Sequence, residues 1–203
     1  SAEIIAKHTE AILSCKSLPL VMILPHHSQG GTEIFIYMPH SDERFTITTS
    51  VLNNHHVSIH EALISTCDNG FDLDIYIVLD EQNQTILDSQ QSLQIQEQLI
   101  HYLSNTSKHP PIKQKRRPKS LAHFTLNTQI TYEDYSNIHT QLFLITTDRP
   151  GLLATLSRIF LSLNIHLHSA KIATAGERVE DMFYITNAQG TVLSIEEKEI
   201  LKQ

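Results

Sequence analysis

Thr146-Thr147-Asp148-Arg149-Pro150-Gly151-Leu152-Leu153 is the stretch that decides the fold, because a weaker copy of its surroundings lies 108 residues earlier. Subtracting 108 places Phe143 on Phe35 and His168 on His60 without a gap. Self-similarity at a fixed spacing is typical of a chain that contains the same structural unit more than once. We therefore expect two modules of one fold.

Composition limits the classes of function. The 203 residues carry a formal net charge of −7 and a pI near 6.0, whereas nucleic-acid-binding domains are usually basic. The two cysteines, Cys15 and Cys67, are too few for a disulfide framework or a cysteine-rich zinc site. No apolar run reaches the ~18–20 residues of a membrane span, and no signal peptide is visible. We expect a cytoplasmic protein without nucleic-acid or membrane partners.

Hydrophobic periodicity predicts the elements of the first module. They are a strand at Thr32–Met38, a helix at Asp42–Asn54, strands at Val57–Thr66 and Phe71–Leu79, and a helix at Gln90–Ser104. This β-α-β-β-α order leaves room for one further strand and is that of a ferredoxin-like fold. The predicted fold class is α+β, with two ferredoxin-like βαββαβ modules.

The second module repeats this order with clearer turn signals. Its predicted elements are strands at Gln141–Thr147, Ile165–Thr174 and Arg178–Asn187, a helix at Leu152–Leu163, and a last helix from Ser194 to Gln203. Ala175-Gly176 provides the turn between the second and third strands. In the third strand the spacing falls from 108 to 107, so that Asp74 aligns with Asp181.

The other segments are predicted to flank or join the modules. Residues 3–15 form an amphipathic helix from an upstream domain, and Leu20–Leu24 forms an added strand. The Lys-, Arg- and Pro-rich residues 106–120 predict a solvated basic linker, with contact to an acidic partner as the alternative. Alternation at Leu121–Tyr132 predicts an extra strand.

These segments divide the chain into an upstream helix (1–18), a first module (19–105), a linker with an added strand (106–137) and a second module (138–203). The chain has no initiator Met, and its last helix is expected to stop early. We therefore expect a piece of a longer protein, truncated at its C-terminus.

The corner at residues 148–153 has the chemistry of a helix start. Asp148 could cap the helix, Pro150 suits its first turn, and Gly151 allows the backbone to approach a ligand. Free N–H groups at Gly151–Leu153, at the positive end of the helix dipole, suit a carboxylate. Capping alone is the simpler explanation. Asn164-Ile165, expected to enter the second strand beside this corner, adds a donor and an acceptor and favours ligand binding.

The Asp-Arg-Pro-Gly-Leu-Leu helix start, followed by Asn-Ile and a hairpin, resembles the ACT domain. That domain is a regulatory βαββαβ module that binds amino acids where modules meet. Further segments resemble the C-terminal tandem ACT region of the bifunctional uridylyltransferase/uridylyl-removing enzymes: residues 30–36 (GGTEIFI), 58–62 (SIHEA), 123–124 (HF) and 176–183 (GERVEDMF). The resemblance covers nearly the whole chain, and the last of these segments is the most specific.

The resemblance implies a function. Enzymes of that family add UMP to the PII nitrogen-signalling protein with a nucleotidyltransferase domain and remove it with an HD-type phosphohydrolase domain. Their tandem ACT region senses glutamine. This chain would then be the glutamine sensor, with ACT–ACT packing within or between chains. It would carry no catalytic site or cofactor, and magnesium would serve the catalytic domains elsewhere in the parent enzyme.

The resemblance also implies a set of effector-binding residues. Carried over by position, they are Asp148, Arg149, Pro150, Gly151, Leu152, Leu153, Asn164 and Ile165. Their first-module equivalents lack the Pro-Gly pair and are expected to bind more weakly: His40, Ser41, Asp42, Glu43 and His56. The alternative function is a protein-interaction module that docks PII or the catalytic domains without a ligand of its own.

Two other groups of residues were candidates for chemistry. His166 and His168 lie on one face of a predicted strand, but no third metal ligand accompanies them, and a zinc site needs three or four. We therefore expect no metal, and a structural hydrogen bond for the equivalent His60 and His168. Glu180 and Asp181 are adjacent in a strand and point to opposite faces, so they cannot act as an acid/base pair. We expect Arg178 to pair with a carboxylate across the hairpin.

Overall fold

The computed structural model describes residues 2–25, 30–111, 127–135, 138–176 and 178–202. These residues contain eight strands and five helices. The strands are β1 (Leu20–Pro25), β2 (Thr32–Pro39), β3 (Ser58–Thr66), β4 (Phe71–Leu79), β5 (Gln129–Tyr135), β6 (His139–Thr147), β7 (His166–Ala175) and β8 (Arg178–Thr186). The helices are α1 (Ala2–Ser14), α2 (Arg44–Asn54), α3 (Ser89–Leu103), α4 (Leu152–Ser162) and α5 (Ile195–Leu201).

All eight strands belong to one antiparallel sheet, in the order β1-β2-β4-β3-β7-β8-β6-β5. The first module contributes β2-α2-β3-β4-α3 and the second β6-α4-β7-β8-α5. The predicted α+β class with two ferredoxin-like modules is confirmed. The sheet runs across both modules through the pairing of β3 with β7.

The fourth strand of each module differs from the prediction in its position along the chain. A βαββαβ order places that strand after the second helix, yet here the strand that precedes the module fills the same edge: β1 pairs with β2, and β5 pairs with β6. A short connection makes sequential strands antiparallel neighbours, so each added strand reaches this edge directly. The strand predicted at Leu121–Tyr132 is Gln129–Tyr135, and residues 112–126, which include most of the basic linker, lie outside the described residues.

The two modules are related by a pseudo-two-fold axis. Leu63 on β3 pairs with Lys171 on β7, and these residues are 108 apart, so each lies opposite its own repeat equivalent. The same holds for Thr49 on α2 and Ser157 on α4, whose hydroxyl oxygens are 3.1 Å apart. Equivalent residues can meet in this way only at a two-fold axis. The axis therefore passes through the β3–β7 ladder and the α2–α4 contact, and it places the start of each of these helices beside the end of the other.

Side chains on the two faces of the sheet have different neighbours. Ile34 and Ile36 belong to the core that α2, α3 and α4 cover, in which Phe45 of the first module and Phe183 of the second lie 6.4 Å apart. On the opposite face Nε2 of His8, on α1, lies within hydrogen-bond distance of Oε1 of Glu33, at 2.8 Å. The imidazole also stacks on Phe35. The helix predicted upstream of the modules thus packs on the back of the first one.

Most predicted boundaries agree with the structure to within one or two residues. The helix expected from Asp42 begins at Arg44, because the N–H of Arg44 closes a turn onto the carbonyl of Ser41. The last helix ends at Leu201. The division into four segments stays a prediction.

Candidate functional site

A cavity of about 900 Å³ lies between the modules, at the start of α4. The second module lines it with the corner at residues 148–154 and with parts of β7 and β8. The first module lines it with the end of α2, the start of β3 and the loop that follows β4. All six corner residues predicted to bind an effector, from Asp148 to Leu153, are among its walls.

The corner begins the helix in a different way from the prediction. Gly151, with φ of 76°, is the N-terminal capping residue of α4, and no side chain caps the helix there. Asp148 accepts a hydrogen bond from the backbone N–H of Arg149 instead, and Pro150 lies before the cap. A Cβ on residue 151 would lie 3.2 Å from Oδ1 of Asn53. The left-handed backbone therefore favours glycine, and a side chain here would also crowd Asn53 of the first module.

The first turn of α4 leaves donors available to a ligand. The N–H of Leu152 donates to the carbonyl of Arg149 at 3.1 Å, and that of Thr155 donates to Gly151 at 2.9 Å. Within the described part of the chain, the N–H groups of Leu153 and Ala154 have no backbone acceptor. Unpaired N–H groups at the positive end of a helix dipole attract a carboxylate.

Asn164 and Ile165 do not join this corner, which corrects the prediction. They lie at the other end of α4, whose 11 residues span roughly 16 Å, and they are not among the cavity walls. Asn164 has φ of 53°. The N–H of Ile165 donates to the carbonyl of Phe160, and the N–H of Asn164 donates to the carbonyl of Leu161. This is a Schellman motif, which ends a helix with one left-handed residue. The Asn-Ile signal therefore has a structural explanation.

The first-module equivalent of Asn164 does line the cavity. His56 has the same left-handed conformation, with φ of 60°, and its imidazole lies 2.8 Å from Glu81. The pseudo-two-fold axis explains why His56 lines the cavity in place of Asn164, because the axis brings the end of α2 to the corner of the second module. The first corner likewise faces the second module: Asp42 lies 2.9 Å from His166. Sequence comparison within one module could not reveal this pairing.

The corner of the first module is filled by its own side chains. Arg44, only 1% exposed, contacts Asp72 at 3.1 Å and Asp74 at 3.3 Å. Ser41 donates its N–H to Asp72, which His40 also contacts, and the Ser41 hydroxyl donates to Glu43. The four predicted equivalents at this corner, from His40 to Glu43, thus contact each other or the residues around Arg44, whereas His56 lies at the cavity.

Asp181 is the cavity residue that sequence reasoning missed. Its side chain is 2% exposed, and its Oδ1 accepts only a 3.3 Å hydrogen bond from the N–H of Ala173. Its Oδ2 has no partner in the described part of the chain. Burial raises the pKa of Asp181 to about 7; the Ala173 N–H opposes this rise and the nearby Asp148 carboxylate adds to it. The available signal was its alignment with the buried Asp74.

Other predictions concerned side chains on β7 and β8 and a metal site. Glu180 is exposed and Asp181 buried, so the two carboxylates do point to opposite faces of β8. Arg178 pairs with Glu180 at 2.6 Å along the same strand, whereas a pair across the hairpin was expected. His168 has the expected structural hydrogen bond, with the Thr186 hydroxyl at 2.8 Å. Among the residues that the structure describes, no group of three or more His, Cys, Asp or Glu side chains could hold a metal ion.

Comparison with known proteins identifies relatives over the whole chain. No protein-family model matches. The chain is 63% identical over 204 aligned positions to the bifunctional uridylyltransferase/uridylyl-removing enzyme of Legionella pneumophila (strain Corby), covering 100% of this chain and 24% of that protein. Along its whole length the chain therefore matches one region of an enzyme of this kind. The enzyme of the same name from Ectopseudomonas mendocina (strain ymp) is 43% identical over 201 positions, covering 96% of this chain and 22% of that protein.

These matches cover only part of each relative. The chain spans about a quarter of the length of its Legionella relatives. A crystal structure of aspartate kinase from Synechocystis aligns with 79% of this chain and 24% of its own, with 18% identity and a TM-score of 0.39. No helix in the described residues combines the length and apolar character needed to cross a membrane.

Proposed function

We propose that this chain is the glutamine-sensing regulatory region of a bifunctional uridylyltransferase/uridylyl-removing enzyme. Glutamine binds in the cavity between the modules and shifts the parent enzyme from adding UMP to the PII protein towards removing it. The chain itself supplies no catalytic group. The observation that carries the proposal is a cavity built by both modules. Within the described part of the chain, helix amides without a backbone acceptor and a carboxylate with one oxygen lacking a partner both line this cavity.

The polar groups of the cavity suit a free amino acid. The amides of Leu153 and Ala154 can receive an α-carboxylate at the positive end of α4. Carboxylates from both modules, including Asp80 and Asp181, can receive the positive charge of an ammonium group. A volume of about 900 Å³ exceeds that of glutamine, so the site would be partly filled by water or would close around its ligand.

Regulation follows from the position of the cavity between two modules. A ligand shifts a conformational equilibrium only as far as it binds one state better than the other. Because Asn53 and His56 come from the first module and the corner comes from the second, binding depends on how the modules are arranged. Glutamine would therefore favour one arrangement, which the catalytic domains would detect.

The test blocks the cavity without altering Gly151, whose replacement would strain the backbone under either proposed function. Ser58 on β3 is exposed and lines the cavity, so Ser58→Phe places a ring in its mouth. In the intact enzyme we expect calorimetry to show at least a tenfold loss of glutamine affinity, and uridylyl transfer to lose its glutamine response. Thr131→Phe, at an exposed position of β5, is the matched control and should keep both.

Two results would contradict the proposal. In the first, the unaltered enzyme binds no glutamine by calorimetry although uridylyl transfer still responds to glutamine. In the second, Ser58→Phe reduces binding of PII while the glutamine response stays intact, as a docking module without a ligand would behave.

A further inference from the structure

The first module holds a buried cation at the position where the second module has its cavity. The Arg44 guanidinium lies against Asp72 and Asp74, and its Nη2 donates to the Thr66 hydroxyl at 3.2 Å. Asp74 has two further partners, the Tyr76 hydroxyl at 3.2 Å and the N–H of Ser65 at 3.4 Å. Every oxygen of this buried acid therefore faces a donor.

The second module keeps the acid and loses the cation. By the repeat spacing of 108, Leu152 replaces Arg44 and Thr174 replaces Thr66; by the spacing of 107 in the third strand, Phe183 replaces Tyr76. Among the residues with a described position, Asp181, the equivalent of Asp74, keeps only the backbone hydrogen bond, from Ala173 in place of Ser65. Leu152, Thr174 and Asp181 all line the cavity.

We propose that Asp181 binds the cationic group of the ligand, which takes the place that the Arg44 guanidinium occupies in the first module. For glutamine this group is the α-ammonium, with the Thr174 hydroxyl as a second partner. The inference rests on the proposed function and makes it more specific: the cavity takes ligands that carry a primary ammonium group beside a carboxylate. Asp181 thus becomes a specificity-determining residue.

The charges around the cavity favour this orientation of the ligand. Asp181 is 2% exposed, and an isolated buried carboxylate is costly unless a cation or several donors pair with it. The cationic side chain among the cavity walls, Arg149, belongs to an exposed residue, whereas Asp181 is deeply buried. The α-carboxylate of the ligand is directed to the amides of Leu153 and Ala154, on the helix side of the same space.

The experiment compares two ligands that differ only in the ammonium group. Calorimetry on the intact enzyme measures glutamine and 4-carbamoylbutanoate, which is glutamine without its amino group. We expect the unaltered enzyme to prefer glutamine by about 100-fold, as for a buried charge pair. In Asp181→Asn that preference should fall below about 5-fold, mainly through loss of glutamine affinity. Glu180→Gln removes the same charge from the adjacent, exposed position and should leave the preference unchanged.

The outcomes separate this inference from the proposed function. If the unaltered enzyme binds glutamine and Asp181→Asn keeps the full preference, Asp181 does not bind the ammonium group, and glutamine sensing stands. If the unaltered enzyme binds neither ligand, both proposals fail. Thr174→Val is the second variant should Asp181→Asn not fold. It removes only a hydroxyl and should lower the preference about 3- to 10-fold, and an unchanged preference would contradict the inference.

Discussion

At the scale of single residues, the surroundings of Asp181 and of its repeat equivalent Asp74 predict a difference in their effect on stability. Among the described residues, Asp74 has Arg44 and Tyr76 as partners, whereas Asp181 has a single backbone N–H. Replacing a buried acid that has only one weak hydrogen bond among the described residues should therefore stabilise the protein. Functional sites commonly retain such residues although stability alone would remove them.

This predicts a pH-dependent gain in stability for Asp181→Asn without ligand. The pKa of Asp181 is raised from 3.8 to about 7, so the folded state favours the protonated acid. The stability that the protonated acid contributes is complete below pH 3.8 and is lost as the pH rises through 7. The free-energy advantage of Asp181→Asn should grow from near zero at pH 4 to at most about 4 kcal/mol at pH 8. Urea unfolding at pH 5 and pH 8 measures it, and an equal difference at both pH values would contradict the assignment.

At the scale of elements, sequence periodicity predicted nearly every helix and strand, since each buries one regularly spaced face. It also predicted two equal modules, because the repeat is visible without a structure. The order of the edge strands was not predicted, because the sequences of β1 and β5 do not show which strand each of them pairs with. The part of the first module that lies beside the corner at residues 148–153 was not predicted either. Contact between the corner and the end of α2 arises only when two modules dock about a two-fold axis.

Substitutions of Asn164 test whether this residue ends helix α4 or contacts the ligand. Its φ of 53° suits glycine as well as asparagine, and its Schellman role needs no side chain. Asn164→Gly should therefore keep glutamine affinity within about twofold in the intact enzyme. Asn164→Val should lose about 1–2 kcal/mol of stability, because a β-branched residue is strained in the left-handed region. A large loss of glutamine binding in Asn164→Gly, measured by calorimetry, would instead indicate that the Asn164 side chain contacts the ligand, as the sequence predicted.

At the scale of the whole molecule, the two corners have diverged into one filled and one open site. The axis through Leu63 and Lys171 makes the corners equivalent in position. Arg44 occupies the first with buried ion pairs, whereas Leu152 leaves the second as a cavity. Breaking a buried ion pair to admit a ligand would cost about 3–5 kcal/mol, which would weaken binding there by roughly 10²- to 10³-fold or more. We therefore expect the first corner to stay closed to a ligand.

This asymmetry predicts one glutamine per chain. Calorimetry on the intact enzyme should give a stoichiometry of one, and Asp181→Asn should weaken that single event. Because the site is built by both modules, saturating glutamine should also raise the unfolding free energy of the region, by about 2.7 kcal/mol at a hundredfold excess over Kd. Two equal binding events per chain would mean that Arg44 leaves its pocket, and the first corner would then be a working site. A stoichiometry of one that Asp181→Asn leaves unaffected would place glutamine elsewhere on the molecule.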